Sequence, residues 1–260
     1  MKKIILSRFL NLIFICALFF HSCGSKKNII YLQDLNIDSN HELAYNEYKV
    51  KPSDILKIDI LSDDPELMLS LSPKAQINTQ SNSKDNLLYN GYQVNSLGFI
   101  NLQSIGNLKV EGLSVREITE IISTRLRTDG LLTNAYVDVK LLNSSFTIIG
   151  EVLRPGNYDF LDDNLNLLEA IGMAGDLTIN GQRKDIRIIR FNNNKNNFYS
   201  VDLTNSEFLK DINLYQVIPG DIIIVNPNTT RVKNAGIIGN SGTLISLLTF
   251  ILSSIIVISN

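Results

Sequence analysis

The sequence predicts an α+β protein: two small β-rich modules followed by one C-terminal membrane-spanning helix. Three observations carry that reading. The order Tyr-x-Val-x-Pro-x-Asp-Ile occurs twice, at Tyr48 to Ile55 and at Tyr215 to Ile222, each time leading into an alternating or apolar run. This is a strand-turn-strand device used in two related units. Each unit also contains one stretch of helical spacing behind a capping box. Finally, the tract from Ala235 to Asn260 carries no charged residue.

Composition narrows the chemistry. The chain has 260 residues, 44% hydrophobic and 19% charged, the profile of a folded protein. Two Cys, two His and no Trp leave too few ligands for a structural zinc site and too few thiols for a disulfide framework. The net charge of -2 is spread without a basic block, so there is no electrostatic footprint for nucleic acid. No cofactor is indicated.

The N-terminus reads Met1-Lys2-Lys3, Arg8, and an apolar stretch from Phe9 to Phe20. A basic n-region before an h-region of this length is a secretory signal over residues 1–22. Ser22-Cys23 follows where a plain signal would show an A-x-A-like site, an arrangement resembling a bacterial lipobox with Cys23 as the lipidated first residue. A simple signal peptide with a stray Cys is the alternative. Cleavage before Cys23 leaves 238 residues; it removes Lys2, Lys3 and Arg8, so 21 basic residues face 26 acidic ones. Of the His and Cys residues only Cys23 and His41 remain, too few for a Ser-His-Asp or Cys-His site. Residues 23–45 read as a lipid-anchored tether with one candidate strand at Ile29 to Leu32.

The first module spans 46–142. Its strand-turn-strand start, with Pro52 and Asp54 in the turn, is followed by a polar excursion from Ser62 to Asn90 and a hairpin-like unit at Tyr92 to Leu102. Ser114 and Glu117 form a capping box, Ile118, Ile121, Ile122 and Leu126 share one face, and Gly130 offers a stop, which predicts a helix from about Val115 to Thr128. Ala135 to Leu142 alternates as a closing strand.

The second module spans 143–228. It opens with Phe146 to Gly150, turns through Glu151, Arg154, Pro155 and Gly156 to Tyr158, and enters a short helix capped by Asn166 and Glu169 and ended by Gly175. Strands are expected at Ile186 to Phe191, Phe198 to Asp202 and Asp221 to Val225, the last reached through Pro219-Gly220. A small mixed sheet holding one helix is the expected result.

Residues 229–260 form a linker and the apolar tail. Leu244 to Ile258 is almost wholly apolar and covers about 22 Å as a helix. Gly242, Ser246, Thr249 and Ser253 recur at spacings of four, three and four, one stripe suited to close helix packing or to a wet lumen. Burial against the body as a core helix is the other reading.

These residues resemble the outer-membrane polysaccharide export lipoproteins, capsule exporters of the Wza type, in the form common in Bacteroidetes. Tyr48-x-Val-x-Pro52-x-Asp54, Gly98-Phe-Ile-Asn-Leu-Gln-Ser-Ile-Gly106 and Gly112-Leu-Ser-Val-Arg-Glu117 carry the likeness to a polysaccharide export domain. Gly150-Glu151-Val152, Pro155-Gly156-x-Tyr158, Asn166-Leu-Leu-Glu-Ala170, Ala174-Gly175, Arg190 and Pro219-Gly220-Asp221 carry the likeness to an SLBB (soluble-ligand-binding β-grasp) domain. Ser53, Gln103 and Asp176 depart from the pattern, at positions where Gly, Pro and Gly are usual.

The resemblance implies a non-enzymatic, homo-oligomeric ring in the periplasm, lipid-anchored at Cys23 in the outer membrane, with one helix per subunit crossing it. It implies a polysaccharide as cargo and an inner-membrane polysaccharide copolymerase, often a tyrosine autokinase, as partner. Pro52, Asp54, Gly150, Glu151, Pro155, Gly156, Gly175, Pro219, Gly220 and Asp221 are then turn formers, while Glu151, Arg154 and Arg190 line the glycan route or make subunit contacts. Two other classes compete: a non-channel lipoprotein holding a soluble ligand or glycan through the SLBB fold, and a glycan hydrolase using acid pairs such as Asp162 with Asp163 or Glu151 with Asp159.

Overall fold

A computed structural model describes residues 26–35, 45–62, 91–103, 105–130, 135–162, 164–192, 195–229 and 241–258. The signal segment, Cys23, His41, Asp163 and nearly all of the polar excursion lie outside the described residues. What is described is a mixed helix-and-strand protein with two β-rich parts, each with its own apolar core.

In the first part, β1 (Ile55–Ser62) buries Leu56, Ile58 and Ile60 on one face. It pairs antiparallel with β2 (Tyr92–Gln93) and with β5 (Ala135–Leu141), a register that sets Ile58 opposite Val139 and Ile60 opposite Val137. The helix Val115–Thr128 begins at the expected capping box: the Glu117 N–H donates to Ser114 Oγ at 3.2 Å and the Ser114 N–H to Glu117 Oε2 at 2.6 Å. Ile118, Ile122 and Leu126 recur every fourth residue and are fully buried in this core. Each buried aliphatic side chain contributes about 1.5–3 kcal/mol, against about 1 kcal/mol for the cap. The stripe therefore holds the helix, and the cap decides where it starts. Gly130 follows at φ +68°.

The hairpin expected at Tyr92 to Leu102 is corrected. A turn does form, because the Asn95 side chain accepts the N–H groups of Leu97 and Phe99. Its two arms separate: β2 joins β1, while β3 (Phe99–Leu102) pairs with β4 (Gly106–Lys109).

The second part is a five-stranded mixed sheet of β6 (Ser145–Gly150), β7 (Gly156–Asp159), β8 (Gly181–Asn192), β9 (Lys195–Val201) and β10 (Ile222–Pro227), in the order β7-β6-β10-β8-β9. β10 runs parallel to β6 and antiparallel to β8. Consequently the last strand among the described residues fills the centre of the sheet. The short helix Leu167–Met173 is capped reciprocally by Asn166 and Glu169, both bonds at 3.0 Å. It adds Leu167, Ala170 and Ile171 to the core of Phe146, Ile148, Ile186, Ile188, Ile223 and Val225.

Of the expected lipid-anchored tether over 23–45, residues 26–35 are described, and they are docked. Residues 26–35 lie on the second part: the N–H groups of Leu32 and Gln33 donate to the carbonyls of Leu203 (3.0 Å) and Thr204 (2.8 Å), and the Ser206 N–H donates to Asp34 Oδ1 at 2.7 Å. Tyr31 and Leu32 pack against the second core. No strand forms; the backbone finds acceptors because two apolar side chains anchor it.

The tail forms a helix, Ser241–Ile258. Yet no helix among the described residues is long and apolar enough to cross a membrane, so the expectation of a membrane-spanning helix is corrected. At a rise of about 1.5 Å per residue it measures about 27 Å, against a hydrocarbon core of about 30 Å. Nor is it a core helix in this chain: Ile245, Leu247, Phe250 and Leu252 are between 51% and 72% exposed.

Candidate functional site

Lys51-Pro52-Ser53-Asp54 and Ile218-Pro219-Gly220-Asp221 are one turn built twice. The third residue has φ +77° in one and +89° in the other. The Asp54 N–H donates to Lys51 O at 3.2 Å and the Asp221 N–H to Ile218 O at 3.1 Å. Each carboxylate in turn accepts the N–H three residues back, from Lys51 at 2.8 Å and from Ile218 at 3.0 Å. This is a type II turn, with proline setting the second φ and its own aspartate closing the loop.

The carboxylates differ in what else they hold. Asp54 accepts the Tyr48 hydroxyl at 3.1 Å. Asp221 accepts two bonds from Arg190, Nε at 2.9 Å and Nη2 at 2.7 Å, and Nη2 also donates to Gln216 O at 2.7 Å. The Arg190 and Asp221 side chains are 7% and 0% exposed, so removing the guanidinium alone strands a buried charge at a cost of about 3–5 kcal/mol. Burial pushes the Asp221 carboxyl above its ordinary value, opposed by Arg190 and the Ile218 N–H. Asp54 is pushed up by burial too, and the Tyr48 hydroxyl by burial and then by Asp54.

The two parts meet beside these turns. The Gln216 amide donates to Asn46 O at 3.0 Å and accepts the Asn46 N–H at 3.1 Å, as a strand neighbour would. Lys51 Nζ donates to Phe191 O at 3.1 Å across the same seam. Between them opens a cleft of about 490 Å³, with Tyr45, Tyr48 and Lys51 on one wall and Arg190, Tyr199 and Asn213 on the other. That volume is within the range of about 300–1,000 Å³ for small-molecule sites.

The remaining turn residues gather elsewhere. A Cβ on Gly150 (φ +97°) would strike the Val225 carbonyl, so glycine permits the approach of β6 and β10. Glu151 Oε2 accepts the Thr178 hydroxyl at 2.7 Å. The Leu153 and Arg154 N–H groups donate to the carbonyls of Asp176 (3.0 Å) and Ala174 (2.9 Å), and the Tyr158 hydroxyl to Arg154 O. Gly156 opens β7 behind exposed Pro155, and Gly175 at φ +80° packs on Leu153. These residues form one stitched block, a structural arrangement distinct from the cleft. Arg154 adds a bond to Met173 O at 3.2 Å.

A second cleft, of about 460 Å³, is lined by Asn28 and Ile29 from the N-terminal segment and by Asn228 and Thr229 at the end of the second part. The Asn228 N–H donates to Asn180 O at 2.6 Å. Both ends of the described body thus leave from one place.

On the C-terminal helix the hydroxyls of the stripe bond their own backbone: Ser246 to Gly242 O (2.8 Å), Thr249 to Ile245 O (2.9 Å) and Ser253 to Phe250 O (2.9 Å). The acids proposed as a hydrolytic pair are engaged locally, Asp162 accepting the Asn164 N–H and Glu151 the Thr178 hydroxyl. Among the described residues no group of three or more His, Cys, Asp or Glu could hold a metal. Sequence reasoning marked Arg190 and both Pro turns but not Lys51 or Gln216, which occupy unspecified positions of the repeat and show no periodic signal.

Residues 43–142 match the family described as Polysaccharide biosynthesis/export protein, and residues 145–199 match the SLBB domain.

Proposed function

The chain belongs to the polysaccharide export protein family, and on that premise we propose that it is an outer-membrane lipoprotein whose copies assemble into a ring that conducts a polysaccharide out of the cell. Proteins of this family are transport proteins, and the chain is read as a conduit with no catalytic step. Lipid at Cys23 would anchor it in the outer membrane with its bulk in the periplasm. An inner-membrane copolymerase would supply the growing glycan.

One observation carries this reading: the N-terminal segment and the chain end before the apolar tail line the same cleft of the SLBB part. Cys23 lies only three residues ahead of Lys26, a reach of about 10 Å in extended chain. A lipid there would hold this face of the second part against the membrane, leaving the first part farther from it. Helices from several copies can pack side by side around a wet passage while each keeps its own backbone bonds. The exposed apolar surface of Ile245, Leu247, Phe250 and Leu252 has no cover among the described residues, which supports lipid and neighbouring copies as its surroundings.

Truncation after Thr229 tests it. Surface polysaccharide, measured by immunoblot of washed cells, is expected to disappear while the truncated protein still accumulates. Undiminished export would overturn the conduit. Imaging of detergent-purified full-length particles should show rings; a monomer soluble in plain buffer would favour the ligand-binding lipoprotein instead.

A further inference from the structure

The cleft at the seam of the two parts holds Lys51, a cation with no direct ion pair among the described residues. Lys51 is half-buried; burial holds its ammonium below its ordinary value, while Asp54 and Asp221 act from a distance in the opposite sense. Its Nζ donates to Phe191 O and lies 5.3 Å from the Tyr48 ring centre. Among the described residues no carboxylate stands within ion-pair distance of it. The other charges at the cleft are already matched: Arg190 by Asp221, Lys49 by Glu117, and Glu47 by Arg116. Lys51 is thus a partly desolvated ammonium with no direct ion pair among the described residues, in a space edged by exposed Tyr45 and by the side-chain amides of Asn192 and Asn213.

Tyrosine rings offer apolar faces with polar tips, amides offer both donors and acceptors, and an ammonium pairs best with a carboxylate. Together these fit a pyranose that carries a carboxylate. We propose that the cleft binds an acidic sugar residue of the transported polysaccharide, its carboxylate paired with Lys51 Nζ and its ring lying against Tyr45. This rests on the export reading and names the class of glycan that reading leaves open. One charged contact in an open cleft gives weak, reversible binding, as a conduit requires: a tightly held chain would not move on.

The full chain with C23S, purified in detergent, is titrated with oligogalacturonate of six residues and with maltohexaose, and binding is followed by calorimetry. Oligogalacturonate is expected to bind at least about tenfold more tightly than the neutral hexamer, and K51Q to remove about tenfold of that affinity, the scale of one charge-assisted hydrogen bond. K51R should retain most of it, which separates loss of charge from loss of fold. Equal affinity for both sugars, no binding by either, an unaffected K51Q variant, or a cleft sealed by a neighbouring copy in the purified ring would each overturn the proposal. Export in cells distinguishes the two readings. If the gene's deletion leaves export intact, the export reading fails; if export depends on the gene but acidic sugar is not preferred, only the cleft assignment fails.

Discussion

At φ +77° Ser53 occupies the left-handed region that Gly220 occupies in the second copy of the turn, where a residue with a Cβ pays about 1–2 kcal/mol. The turn persists because Asp54 holds it from inside, through the Lys51 N–H and the Tyr48 hydroxyl. Ser53→Gly is expected to raise stability by up to about 1 kcal/mol, glycine's own chain entropy offsetting part of the relief. Gly220→Ser should lower it by about the same amount, since a Cβ there meets nothing within 4 Å and the cost is purely conformational. Urea unfolding of both variants checks the pair; opposite signs are required. The sequence displays Ser53 in a glycine's place, but not whether the chain bends to the residue or the residue to the chain. That depends on Asp54's bonds, which local composition does not reveal. The same is true of Arg190, whose partner Asp221 lies thirty-one positions away.

Both helices with capping boxes were readable as elements, because their signals are local: a hydroxyl or amide, a carboxylate three residues on, and an apolar stripe. The arms of the Asn95 turn were not, because their partners are strands chosen by long-range burial. The first cap also has a pH signature. Lys49 and then the Ser114 N–H hold the Glu117 carboxyl at about 2, below its unfolded value of about 4.3. The stabilisation is thus present above about pH 4.3 and is lost as pH falls toward 2. Amide exchange at Val115 to Ile118 is expected to accelerate over that window relative to the rest of the helix. In Glu117→Gln the window should vanish; if it persists, another group is responsible.

Across the whole molecule, the N-terminal segment is what sequence reading placed least well. Lys26, Lys27 and the polar run after Leu32 look like linker, and the docking surface is assembled from residues near 176–183 and 203–206. There Tyr31 donates to Asp176 and lies beneath the Arg183 guanidinium. Tyr31→Ala should release residues 26–35 and destabilise the SLBB part by about 1–3 kcal/mol. Limited proteolysis is expected to cut within that segment while amide protection in the Val115–Thr128 helix stays unchanged. Equal loosening of both parts would mean that the segment braces the entire body.

The central position of β10 also bears on how the chain matures. With β6 on one side and β8 on the other, the SLBB sheet lacks its middle member until residue 227 has left the ribosome. A nascent chain presents its N-terminal portion first, so this sheet cannot close early around β6 to β9. If the chain is exported as proposed above, delayed closure would keep the polypeptide threadable through a narrow secretion pore, and would make its last few dozen residues the trigger for folding on the far side.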